Sequence, residues 1–102
     1  MEGLNPFGGI PAGYTPEEFC ALKLHANLQI KMLRRAGFQL NPYQGYVQAL
    51  KIYITSYKDK PDGRKKLVDI YKDYENSKNK IQWIEDHSQP DPRMMLNRSN
   101  SR

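Results

Sequence analysis

The chain has 102 residues, 16 of them basic and 11 acidic, for a formal charge of +5, and 38% are apolar. That suffices for one small domain with a modest core and excludes two. The single cysteine, Cys20, excludes an internal disulfide framework, and no run of about 18 apolar residues offers a membrane span.

The basic balance favours an anionic neighbour: nucleic acid, lipid headgroups or an acidic protein. Seven of the eleven aromatics are tyrosine. Tyrosine joins apolar area to a polar tip, so these rings either line a small core or meet a partner.

Residues 1–14 form an irregular arm, broken by Gly3, Pro6, Gly8, Gly9, Pro11 and Gly13. Leu4, Phe7, Ile10 and Tyr14 are its apolar groups. They either pin the arm to another surface or fold back over the first helix. The arm lacks the basic start and apolar run of a secretory signal. It also lacks the arginines and helical face of a conventional mitochondrial presequence.

A first helix is predicted from Thr15 to Ala36. Thr15 is a capping residue, Pro16 suits the first helical position, and Glu18 completes a capping box. Acids open this helix and Lys31, Arg34 and Arg35 close it, as the helix dipole favours. Gly37 then allows a left-handed stop. Phe19, Leu22, Ala26, Ile30 and Leu33 make one apolar stripe; Leu24, Leu28 and Met32 make another beside it. So wide an apolar arc predicts burial on more than one side.

Asn41-Pro42 repeats the start signal, and a second helix is predicted from Pro42 to about Lys58. Its stripe is Tyr43, Tyr46, Val47, Leu50, Tyr53, Ile54 and Tyr57. Gly45 weakens its first turn. Asp59 to Gly63 reads as a turn. A third helix is predicted from near Asp62 to about Ile84. Its core face is Leu67, Ile70, Tyr71, Tyr74 and Ile81, with Val68 and Trp83 to the side. Its many charges read mainly as a solvated face. From His87 onward two prolines forbid a helix, leaving a tail to residue 102 with a small apolar knot at Met94, Met95 and Leu96. Short connections favour an all-α, three-helix antiparallel bundle over residues 15–86, with extended arms at both ends.

Catalysis has no sequence support. There is no glycine-rich phosphate loop, no His-Glu metal signature and no nucleophile elbow. Cys20, His25 and His87 fit no zinc spacing. His25 lies among apolar residues, where a lone histidine is more often packed than catalytic. Two basic groups stand out: Arg34 and Arg35 at the end of the first helix, and Lys58, Lys60, Arg64, Lys65 and Lys66 around the second turn. A basic rim of this kind meets phosphates or an acidic helix. Nucleic-acid motifs do not accompany it.

The segment Ala21-Leu22-Lys23-Leu24-His25-Ala26, with Leu28 and the basic end at Lys31, Arg34 and Arg35, resembles the first helix of the LYR-motif family. These are small, basic, three-helix proteins, mostly mitochondrial. Tyr46-Val47-Gln48-Ala49-Leu50 and Tyr57-Lys58-Asp59-Lys60 are similar to the family's second helix and following turn, and Leu67-Val68-Asp69-Ile70-Tyr71 to its third. Trp83 and His87-Ser88-Gln89-Pro90-Asp91-Pro92 resemble the aromatic and His-Pro-Asp-Pro stretch of the branch in the membrane arm of respiratory complex I.

The resemblance implies a non-catalytic accessory subunit of mitochondrial complex I, peripheral on the matrix side of the inner membrane. It implies no cofactor or metal of its own, and no nucleic acid. Its partners would be neighbouring subunits and a mitochondrial acyl carrier protein, whose 4′-phosphopantetheine-linked acyl chain would enter the bundle. Leu24, His25, Arg34, Arg35, Tyr57, Lys58, Lys60 and Arg64 are the partner-binding candidates. Leu22, Leu24, Leu28, Leu50 and Tyr57 would line an acyl channel; the competing expectation is a solid three-helix core. The chain departs from the motif at His25 and Ala26, which replace its Tyr and basic residue. Tyr57 is the nearest counterpart of its later Phe. The alternatives are a small basic ribosome- or nucleic-acid-binding module and a viral structural protein.

Overall fold

A computed structural model describes residues 9–90. The described chain is all-helical, with no strand. Its elements are α1 (Pro16–Arg35), α2 (Pro42–Ser56), α3 (Pro61–Asn76) and α4 (Lys80–His87). Expectations placed on residues 1–8 and 91–102, including Leu4, Phe7 and the Met94–Leu96 knot, lie outside the described residues.

The ends of α1 result from its residues. Thr15 Oγ1 accepts from the Glu18 amide at 3.1 Å, and Glu18 Oε1 accepts from the Thr15 amide at 3.0 Å. Two otherwise unsatisfied amides are thereby paired, a cap worth about 1 kcal/mol. Tyr14, just before the cap, and Phe19, in the fourth helical position, are buried in the same cluster. That is the spacing of a hydrophobic staple. At the other end Gly37 has φ +104°. Its amide donates to Arg34 O at 3.0 Å, and the Phe38 amide to Leu33 O at 3.1 Å, a Schellman stop.

Asn41 caps α2 by accepting from the Gln44 amide at 2.9 Å. At position 45 a side chain would fit only if its neighbours gave way by a few tenths of an ångström. A Cβ would lie 3.0 Å from Leu40 Cδ1 and 3.1 Å from Ile30 Cδ1. The glycine lets the end of α1 close on the first turn of α2, and that contact offsets its poor helix propensity.

The core cluster is Tyr14, Phe19, Ala21, Leu22, Ala26, Leu50 and Leu67. α1 supplies four of these and packs against both α2 and α3, while α4 rests on α3. The prediction of burial on more than one side of α1 holds. Leu22 and Leu50 are completely covered; each such side chain contributes about 1.5–3 kcal/mol by leaving water. Tyr14 OH donates to Ile54 O at 2.5 Å, so the start of α1 lies at the end of α2.

The third helix departs from expectation. It is interrupted at Ser77–Asn79, and α4 is a separate element. Ser77 Oγ donates to Tyr74 O at 2.7 Å and ends α3; Asn79 accepts from the Gln82 amide at 3.0 Å and starts α4. Short polar side chains compete for backbone groups and break the helix here. The spacing from Tyr74 to Ile81 counts only along a continuous helix. After the break Ile81 is 77% exposed, and Trp83, expected at the side, is buried. Ile70 and Tyr43, both expected on core faces, are exposed as well. Tyr14, assigned to the arm, is buried in the core cluster, and α4 ends at His87.

Candidate functional site

The partner-binding candidates occupy three places along α1, which at 1.5 Å per residue is about 30 Å long. Lys58, Lys60 and Arg64 lie at the end where α1 starts. His25 sits between the ends, and Arg34 and Arg35 lie at the far end. The structure therefore does not gather the basic candidates into one rim.

At the first end Arg64 is an internal fastener. Its Nη1 donates to Tyr57 O at 2.8 Å and to Lys58 O at 2.6 Å. Its Nε donates to Glu18 Oε2 at 3.3 Å, and its guanidinium lies 5.2 Å from the centre of the Tyr14 ring. One side chain thus ties the end of α2 and the starts of α1 and α3. The Tyr57 ring packs where a Cβ on Gly63 would come within 2.9 Å of it. Lys58 and Lys60 stay exposed.

Between the ends, His25 stacks on Tyr53 with ring centres 4.4 Å apart and meets the edge of Tyr57 at 6.2 Å. Burial lowers its pKa from 6.5, since the charged imidazolium would lose hydration there. His25 is a neutral packing ring shared by α1 and α2. Leu24 is buried beside it in sequence. Among the described residues, no three His, Cys, Asp or Glu side chains converge as a metal site.

The far end is different. Arg35 pairs with the Glu85 carboxylate and donates to Glu85 O at 3.0 Å and Ser88 O at 3.4 Å, pinning α4. Arg34 and Lys31 make no ion pair among the described residues, and both are exposed. They border a groove of about 870 Å³ between the last turns of α1, the α1–α2 link and the ends of α3 and α4. Leu24, Ile30, Leu40 and Ile84 give it apolar walls, and no acidic residue lines it. Phe38 stands at its edge, 51% exposed, and Tyr43, adjoining the lining residue Pro42, is 61% exposed.

Sequence reasoning named Lys31, Arg34 and Arg35 as the basic end of the helix, left Lys31 out of the partner-binding candidates, and missed Phe38, Leu40 and Tyr43 as surface features. One signal was available. Between Glu18 and Asp59 there are six lysines and arginines and no acid at all. It also missed Tyr14 as a clamp, which its staple spacing with Phe19 would have revealed. Of the five expected channel residues, Leu22 and Leu50 are sealed in the core and Leu24 alone lines the groove.

No protein-family model matches the chain, and neither a curated protein nor a solved structure is significantly similar to it.

Proposed function

We propose that the chain is a non-catalytic accessory subunit of a mitochondrial assembly, and that the assembly is the membrane arm of respiratory complex I. The observation that carries the reading is α1 itself. The segment with the family likeness, Ala21 to Ala26, lies on the helix against which both α2 and α3 pack. A chain organised around that helix suits the up-down-up, antiparallel arrangement that the resemblance implies. Three contacts support this order: Tyr14 with Ile54, Ile30 against Gly45, and Glu18 with Arg64. In this reading α4 is an added fourth helix outside the three-helix core.

The proposed role is docking between neighbouring subunits rather than uptake of a carrier's acyl chain. Leu22 and Leu50, two of the expected channel residues, are fully buried, and Arg64 is already satisfied within the chain. A peripheral position fits the described helices, none of which is long and apolar enough to cross a membrane. The test is mass spectrometry of native complexes from mitochondria containing the tagged full chain. Co-migration with complex I subunits is expected. Recovery only with ribosomes or nucleic acid overturns the proposal.

A further inference from the structure

We infer that the corner formed by the end of α1 and the α1–α2 link is a contact site for anionic phospholipid at a bilayer surface. Two independent observations meet there. The first is charge. Lys31 and Arg34 are exposed and unpaired among the described residues, and Arg35 is engaged with Glu85 behind them. The acid-free stretch from residue 19 to residue 58 places no carboxylate of α1, the link or α2 near enough in sequence to neutralise them. A cation pair of this kind attracts phosphate-bearing headgroups.

The second is apolar exposure. The chain leaves α1 through Gly37 in a left-handed turn, and that turn projects Phe38 outward. Leu40 follows in the link, and Pro42 and Tyr43 open α2. Phe38 and Tyr43 are more than half exposed, which costs free energy in water and is relieved at a lipid interface. Phenylalanine gives apolar depth, and tyrosine suits the headgroup level, with its ring buried and its hydroxyl wet. The groove walls of Ile30 and Ile84 continue the apolar surface inward from the cations.

Other occupants fit less well. A second copy of the chain would bring the same positive charge against itself. A stable protein partner engages about 20–30 residues on each side, more than this corner brings together. Anchoring at a bilayer needs only a few aromatic side chains and adjacent cations. The inference does not rest on the complex I reading, because any anionic bilayer supplies the chemistry.

The experiment is flotation of the purified full chain with vesicles of phosphatidylcholine alone or mixed with phosphatidylglycerol, at low and high salt. Binding is expected only to the mixed vesicles, weakening with salt. K31Q/R34Q should lower partitioning roughly 25-fold, on the basis of two lost surface cations. F38S/Y43S should lower it about tenfold or more, through lost apolar insertion. K58Q/K60Q removes the same charge at the opposite end and should leave binding near the parent value. Circular dichroism of each variant confirms its fold.

Failure to float with either vesicle overturns the inference. So does equal loss in the two charge variants, which would reduce the effect to net charge. Undiminished binding by F38S/Y43S also overturns it, as does a corner that ignores vesicles but binds an acidic amphipathic helical peptide. Flotation uses the chain without subunits, so its failure leaves the assembly proposal standing, and loss of co-migration leaves the lipid contact standing.

Discussion

Each end of α1 has one arginine engaged within the fold and two exposed cations, yet the engaged arginine does a different job at each end. Where α1 starts, the guanidinium of Arg64 is turned inward onto two carbonyls, a carboxylate and a ring. Where α1 finishes, Lys31 and Arg34 point to solvent. The difference lies in how each helix ends. α2 stops at Tyr57 without a left-handed glycine; the Tyr57 carbonyl accepts from the Lys60 amide at 3.1 Å, and Arg64 donates to it and to the Lys58 carbonyl. α1 stops in a Schellman motif, in which the Gly37 and Phe38 amides already satisfy Arg34 O and Leu33 O. Nothing in that stop calls Lys31 or Arg34 inward, and Arg35 is held by the Glu85 carboxylate and the Glu85 and Ser88 carbonyls instead. The self-sufficient stop of α1 takes no cation onto its own carbonyls, and its engaged arginine serves α4; the stop of α2 takes Arg64 onto its carbonyls.

Substitutions can test that contrast. The greatest loss is expected at the core both ends share. Leu50→Ala should cost about 2–5 kcal/mol in denaturant unfolding, because a fully covered leucine leaves a cavity. The two ends themselves come second. Arg64→Ala should cost about 2 kcal/mol, since its charged hydrogen bonds to two carbonyls and a carboxylate are lost. Arg34→Ala should stay within about 0.5 kcal/mol of the parent. Equal losses from the two substitutions would mean that the ends are not different in kind.

Arg35→Ala tests whether the far end is closed by one residue. The ion pair with Glu85 is partly exposed and screened, so a global cost of about 1 kcal/mol or less is expected. The sharper readout is faster amide exchange confined to α4, and unchanged exchange there would count against the latch.

The weakest effect belongs to His25, between the ends. Burial holds its folded pKa below the unfolded value of 6.5, so the unfolded chain binds the proton more readily. The stability it contributes is complete above pH 6.5 and is lost as pH falls below that value toward the folded pKa. His25→Phe keeps the stack on Tyr53 and should flatten this acid slope. An unaltered slope in thermal melts would assign the acid sensitivity to other groups.

Much of the fold was legible from residues that act on their immediate neighbours. Thr15, Glu18, Gly37 and Asn41 each did what their types and spacings predict, because a cap or stop involves atoms only a few residues apart. Ser77 and Asn79 were equally local and were overlooked beneath an apolar spacing that seemed to run through them. The site was less legible. Nothing in the sequence distinguishes Arg64 from Arg34 as arginines on charged helices. Of the residues expected along an acyl path, Leu22 and Leu50 are core leucines and Leu24 lines the groove, a division that spacing alone does not give.

Helical character, the ends of the helices and a positive stretch without acids are properties of the amino-acid order alone, since they depend on backbone geometry and on counting. Which cations turn inward, and which apolar groups are left outside, was decided only by packing. Those outcomes depend on carbonyls and side chains brought together from distant helices, whose positions exist only once α1 has α2 and α3 packed around it.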